Sequence, residues 1–166
     1  MAGVEAYLDI ETTGLSPFYG EVTVVGIYRV NGRESEFVQL IGEEITAEKV
    51  LAALKNVDII YTYNGSRFDL PFMDVSLGVD LCDYFEHRDL MYDCWRCNLK
   101  GGLKAVERRL GIRRELTEVD GYQAVILWWR YTNHGDKEAL TTLLAYNRED
   151  VVNLKTLRQI LENERT

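Results

Sequence analysis

The sequence predicts an α/β domain, a central mixed β-sheet flanked by α-helices. Apolar runs rich in Val, Ile and Tyr crowd the first half of the chain, and apolar positions at helical spacing fill the second. At least one strand-helix-strand crossover is expected between them, which puts parallel neighbours into the sheet. With 166 residues, 46% of them apolar, and only two prolines, the chain has material for one substantial core and is expected to form a single domain over residues 1–166.

Strands are expected at Val4 to Glu11, Val22 to Val30, Glu36 to Ile41 and Asp58 to Tyr63. Asn31-Gly32 marks a hairpin turn between the second and third. Behind Thr46, a natural N-cap, Val50, Leu51 and Leu54 share a helical face, so the order begins β-β-β-α-β. Leu99, Leu103, Val106 and Leu110 keep helical spacing up to Gly111, a natural stop. Two more helices are expected, one from about Tyr122 to Tyr131 and a last one from about Lys137 to the chain end, with Asp136 as its N-cap. Internal repeats, low-complexity tracts and linkers are not evident.

No stretch approaches the ~20 consecutive apolar residues of a membrane span. Glu5 and Asp9 stand where a signal peptide would be basic and then apolar. The expectation is a soluble, cytoplasmic protein without a membrane partner. Three cysteines, Cys82, Cys94 and Cys97, in a chain of this size fit free thiols better than a disulfide framework. Cys94-Trp95-Arg96-Cys97 has one further cysteine and two histidines, His87 and His134, as companions, which leaves few ways to complete a tetrahedral zinc site.

Three pieces of sequence carry chemistry. In Tyr7-Leu8-Asp9-Ile10-Glu11 the two carboxylates lie two apart, so on a strand they share a face roughly 6.6 Å apart while Leu8 and Ile10 point into the core. Thr12, Thr13 and Gly14 leave accessible backbone just beyond them. A half-exposed strand with a polar face explains this piece equally well by itself. Tyr61 to Pro71 ends a strand in Asn64-Gly65 and sets Asp69 at a helix start, where a plain N-cap is the simpler reading. In Tyr146-Asn147-Arg148-Glu149-Asp150, Tyr146 and Asp150 are neighbours on one helical face, which an ordinary amphipathic helix would also show.

Gathered in one place, four carboxylates repel one another unless divalent cations neutralise them. Such a cluster calls for hard ions with oxygen ligands, and two Mg²⁺ or Mn²⁺ roughly 4 Å apart would clamp a phosphodiester displacement. The tyrosine would orient the water.

The motifs DIET, YNGSRFD and YNRED resemble the three exonuclease motifs of DEDDy-type 3′-5′ exonucleases in the ribonuclease H-like superfamily, and the resemblance runs from Tyr7 to Leu157. It implies a ribonuclease H-like fold. It also implies that Asp9 bridges both metals, that Glu11 and Asp150 hold the ion that activates water, and that Asp69 helps hold the other through water. Tyr146 matches the water-positioning tyrosine. Thr12, Thr13 and Leu15, around Gly14, match positions that grip the terminal nucleotide, and Asn64 and Phe68 match residues lining the strand's path. The middle motif with Leu70-Pro71 is similar to that of proofreading domains of B-type DNA polymerases, while the flanking segments are similar to stand-alone relatives.

The implied activity is removal of nucleotides from the 3′ end of single-stranded nucleic acid, DNA favoured, with release of 5′-mononucleotides. An exoribonuclease is the nearest alternative, because carboxylates that grip phosphates do not read the 2′-hydroxyl. A non-catalytic nucleic-acid-binding subunit would not need the intact acidic set, and an endonuclease would lack the Tyr146 to Asp150 pairing.

A net charge of −8 opposes binding a polyanion. From Arg96 to Arg114, however, seven basic residues face one acid, Glu107, a local +6 that leaves −14 elsewhere. Lys100, Lys104 and Arg108 recur every four residues and are expected to form a phosphate-binding stripe along one helix. Trp128, Trp129 and Tyr131 are expected in the core or at a contact between copies in a homo-oligomer, with base stacking a lesser reading.

Overall fold

The computed structural model describes residues 3–165. β1 (Glu5–Thr12), β2 (Val22–Asn31) and β3 (Glu34–Ile41) lead into α1 (Ala47–Ala53), β4 (Ile59–Thr62), α2 (Asp69–Leu77) and β5 (Glu86–Asp89). The chain then continues through α3 (Leu90–Arg96), α4 (Leu103–Leu110), α5 (Gly121–His134) and α6 (Lys137–Asn163). The five strands lie in the order β3-β2-β1-β4-β5. β1 pairs antiparallel with β2 and parallel with β4, so the sheet is mixed and β1 is its centre. No helix among the described residues is long and apolar enough to cross a membrane.

Both faces of the sheet are covered, which is why β1 reads as a nearly continuous apolar run. Ala6, Leu8 and Ile10 point to one side, against Val25 and Ile27 of β2, Val50 of α1 and Leu70, Phe72 and Met73 of α2. Tyr7 points to the other side, into a cluster with Leu90, Val106, Val151, Leu154 and Leu157 from α3, α4 and α6. Asp9 and Glu11 follow Tyr7 on that second face, under α6.

The capping residues act as their chemistry dictates. Thr46 accepts a hydrogen bond from the Lys49 amide at 3.2 Å, and Asp136 accepts one from Ala139 at 3.0 Å. The hairpin turn differs by one residue from the expected position. Asn31 pairs across the ladder with Glu34, and the two-residue loop is Gly32-Arg33, with Gly32 at a φ of +61°.

Three expectations need correction. Asp69 is not an N-cap; Phe68 precedes the helix without a side-chain cap, and Asp69 is its first residue. The helix expected from Leu99 begins only at Leu103, because Gly101-Gly102 interrupts it, and Leu99 packs on the core from a loop. Lys100 therefore lies outside α4, and the stripe with Lys104 and Arg108 does not form. The last helix ends at Asn163, and Thr166, included in the expectation, lies outside the described residues.

β2 carries a close approach between strand backbone and a helix side chain. Gly26 sits opposite Asp9 on β1, beneath the buried side chain of Asn147 from α6. A Cβ at Gly26 would fall 2.2 Å from Asn147 Oδ1 and 2.9 Å from Val151 Cγ2. Gly26→Ala is expected to destabilise the protein by about 1–3 kcal/mol through overpacking. An unchanged midpoint in denaturant melts would contradict this seating of α6.

Candidate active site

The site forms where the parallel ladder stops. β4 pairs with β1 only from Glu5 to Tyr7, so the carboxyl half of β1 is open on that side. The vacant edge is partly capped by Asp69, whose Oδ2 accepts the Ile10 amide at 3.0 Å. A bulge between Glu11 and Thr12 turns the strand end, a device that re-aims side chains next to functional clefts.

α6 crosses this opening and supplies three residues within two turns. Tyr146, Asn147 and Asp150 are all buried. One ligand oxygen each from Asp9, Glu11 and Asp150 lies within 4.8 Å of the others. Asn147 is fully buried between strand and helix. Its Nδ2 donates to the Asp9 carbonyl at 3.2 Å and, more loosely, to Asp9 Oδ2 at 3.4 Å, while its Oδ1 accepts from Gln39 Nε2 at 2.9 Å.

Electrostatics define the cluster. Two carboxylates 4.8 Å apart repel by about 3.5 kcal/mol at an effective dielectric of about 20, a large share of a domain's net stability. Asp9 is held well above the usual carboxylate range by burial, then by Asp150 and Glu11. Glu11 is raised by burial and by Asp150, and its Oε1 is buried with no hydrogen-bond partner. Burial pushes Asp69 to about 7 and Asp150 to about 6.

Arg114 moderates Asp150. Its guanidinium donates to Asp150 Oδ1 at 2.5 Å and forks onto Glu107 at 2.7 and 3.0 Å, with a side chain only 6% exposed. Asn153 Nδ2 fixes Glu107 from α6 at 3.1 Å. Lys104 does the same for the tyrosine. Its ammonium donates to Tyr146 Oη and to the Val119 carbonyl, both at 2.7 Å, and lies 4.5 Å from the Tyr146 ring centre. Burial raises the Tyr146 pKa, so the phenol keeps its proton at neutral pH.

A cleft of about 230 Å³ opens onto these groups, lined by Asp9, Tyr63, Gly102, Leu103, Lys104, Tyr146 and Asp150. An all-carboxylate donor set with one oxygen left unpartnered suits a hard divalent cation. Asp69 belongs to the same electrostatic group but not to the 4.8 Å trio.

The other sequence-predicted residues divide. Thr12 Oγ1 donates to the Gly14 carbonyl at 2.7 Å, and Thr13 exchanges two hydrogen bonds with Glu21, which shapes the turn that leaves Leu15 89% exposed. Asn64 takes a left-handed φ of +61° and Phe68 packs on Phe72. Lys100 and Arg108 are exposed and make no contact with the carboxylates, so of the expected stripe only Lys104 reaches the site. Trp128 is core, packed with Ala124, Leu143 and Tyr146. The cysteines are free thiols, Cys94 being buried and pushed up to about 12.

Sequence reasoning missed Asn147, Gln39 and the role of Arg114. Asn147 lies inside the third motif, and only the glycine opposite Asp9 hints that a side chain from elsewhere fills that space.

A family model, RNase_H_2, described as RNase_H superfamily, matches residues 6–162. The chain belongs to the RNase H superfamily. Like other members it builds on a five-stranded mixed sheet flanked by helices. This RNase H superfamily chain is 27% identical to the uncharacterized protein YprB of Bacillus subtilis (strain 168), over 91% of the chain and 40% of that relative. It therefore spans well under half the length of that curated protein. A family B DNA polymerase from the hyperthermophilic archaeon Pyrobaculum calidifontis has a similar fold, at a TM-score of 0.74 and 20% identity, over 97% of this chain and 25% of the polymerase. Brucella melitensis NrnC with bound Mg²⁺ is similar at a TM-score of 0.62 and 20% identity, over 96% of this chain and 72% of NrnC.

The raised carboxyls predict how stability responds to pH. In the unfolded chain Asp69 and Asp150 titrate at 3.8, whereas folded they titrate at about 7 and about 6, so the folded chain holds more protons between those values. In chelator, stability is expected to fall as pH rises from about 4 to about 7, the range over which Asp69 and Asp150 lose their protons in the folded chain. Mg²⁺ or Mn²⁺ should raise Tm above pH 7, and Glu11→Gln should raise the metal-free Tm while abolishing the metal response. Thermal melts across pH with and without metal check this; a metal-free Tm that climbs through this window would contradict it.

Proposed function

We propose that this chain is a divalent-metal-dependent 3′-5′ exonuclease of the DEDDy type, acting on single-stranded nucleic acid with DNA favoured. The observation that carries the reading is the convergence of Asp9, Glu11 and Asp150, with Tyr146 one helical turn before Asp150 at the mouth of the same cleft. The fold shared with a DNA polymerase and with an NrnC that binds Mg²⁺ supports it. Asp9, Glu11 and Asp150 would hold the metal ions, two Mg²⁺ or Mn²⁺, with Asp69 contributing through water. When bound, such ions activate water and neutralise charge at the phosphate.

The protein's own residues do the rest. Tyr146, protonated and fixed by Lys104, presents its hydroxyl to orient the attacking water in line with the departing 3′-oxygen. Asn147 and Arg114 hold Asp9 and Asp150 in place before substrate arrives. The turn at Thr12 to Leu15 receives the terminal nucleotide, and Asn64 and Phe68 line the strand beyond it. Water attacks phosphorus, the 3′-oxygen of the next nucleotide leaves, and a 5′-mononucleotide is released.

End-labelled single-stranded DNA and RNA, with and without a 3′ block, in Mg²⁺, Mn²⁺ or chelator, test this reading. A stepwise ladder on unblocked strands, abolished by chelator and by Asp9→Ala, is expected, with Tyr146→Phe slower by about 10²-fold. A stronger ladder on RNA would select the exoribonuclease alternative. Cleavage inside a 3′-blocked strand, or no cleavage with either metal, would overturn the assignment.

A further inference from the structure

The loop that follows Tyr63, a residue lining the carboxylate cleft, carries Arg67 to a second group of side chains. Tyr92 and Trp95 of α3 meet edge to face, their ring centres 5.2 Å apart at an interplanar angle of 88°. The Arg67 guanidinium lies 5.4 Å from the Trp95 centroid and 5.8 Å from that of Tyr92. Trp95 is 37% exposed, and Arg67 is exposed as well. Among the described residues no carboxylate pairs with Arg67, although acids outnumber bases in this chain.

The platform is built rigidly. Buried Asp89 accepts the Asn64 amide at 2.8 Å, the Ser66 hydroxyl at 2.6 Å and the Met91 amide at 3.1 Å. One carboxylate thus ties the loop carrying Arg67 to the start of the helix carrying Tyr92 and Trp95. Tyr63, which lines the cleft, donates to the Gly101 carbonyl at 2.7 Å and draws the segment with exposed Lys100 to the same side.

We propose that Arg67, Tyr92 and Trp95 form the seat for nucleotides lying 5′ of the terminal two, a deepening that rests on reading the cleft as a single-strand nuclease site. An exposed indole stacks on any base regardless of sequence. An arginine stacked on aromatic rings keeps its in-plane donors free for a phosphate. An unpaired guanidinium and Lys100 on an otherwise acidic molecule complement a polyanion and would repel a basic protein surface. The seat is assigned to the part of a strand that continues past the cleft, upstream of the two nucleotides that a dinucleotide supplies.

Substrate length therefore tests the inference. Trp95→Ala and Arg67→Gln are expected to weaken binding of a labelled single strand of about 12 nucleotides roughly five- to tenfold in fluorescence anisotropy, measured in an Asp9→Asn background. With Asp9 intact they should raise KM for that strand by a similar factor and leave hydrolysis of a dinucleotide within about twofold. Trp95→Phe, which keeps a ring, should retain most of the affinity. Arg67 is exposed, so Arg67→Gln decides the matter if Trp95→Ala lowers the melting temperature. Unchanged binding of the longer strand by folded variants, or an equal loss on the dinucleotide, would overturn the seat. If wild type binds the strand but cleaves nothing, the nuclease reading fails and the anisotropy series alone decides the platform.

Discussion

The structure depends on the repulsion among carboxylates that converge on a strand buried from both sides. β1 is the centre of the sheet and has helices over each face, yet the second face of its carboxyl half holds Asp9 and Glu11 with Asp150 above them. Much of the surrounding architecture serves to make that tolerable. The ladder with β4 ends early so that the group opens on a cleft, Asp69 takes up the amide left over, and Asn147 descends onto Gly26 to hold Asp9. Each is a local departure from regular sheet packing, and all fall at the carboxyl end of the central strand, the end where open α/β sheets place their ligands.

Two cations held against the cleft complete the arrangement. Arg114 bridges Glu107 and Asp150, and Lys104 binds Tyr146 and Val119. Neither is a mobile surface charge. Both orient groups within the cleft, so two of the bases in the run from Arg96 to Arg114 organise the site from within.

How much of this was legible in the sequence follows from which interactions are local. The first four strands and the caps at Thr46 and Asp136 were legible because alternation, apolar content and capping are properties of short segments. β5 was not, since Glu86-His87-Arg88-Asp89 is polar and becomes a strand only by lying parallel to β4 at the sheet's edge. α3 follows it directly, capped by that strand's own last residue, so no turn signal announces it. The carboxylates were legible as candidates through their motifs, and their convergence rests on three elements meeting in space. Arg114 counted only as one of seven bases in a basic run, and it is the placement of Glu107 and Asp150 against it that reveals its role. The stripe through Lys100 failed because Gly101-Gly102 breaks the helix that the spacing implied.

The proposed metal centre is bounded by Asp9, Glu11 and Asp150. Crystals soaked in Mn²⁺ and measured at the manganese absorption edge test it most directly. An anomalous difference peak bounded by the oxygens of these three carboxylates is expected. Manganese bound elsewhere on the molecule, with no peak between them and Arg114 still paired with Asp150, would contradict it.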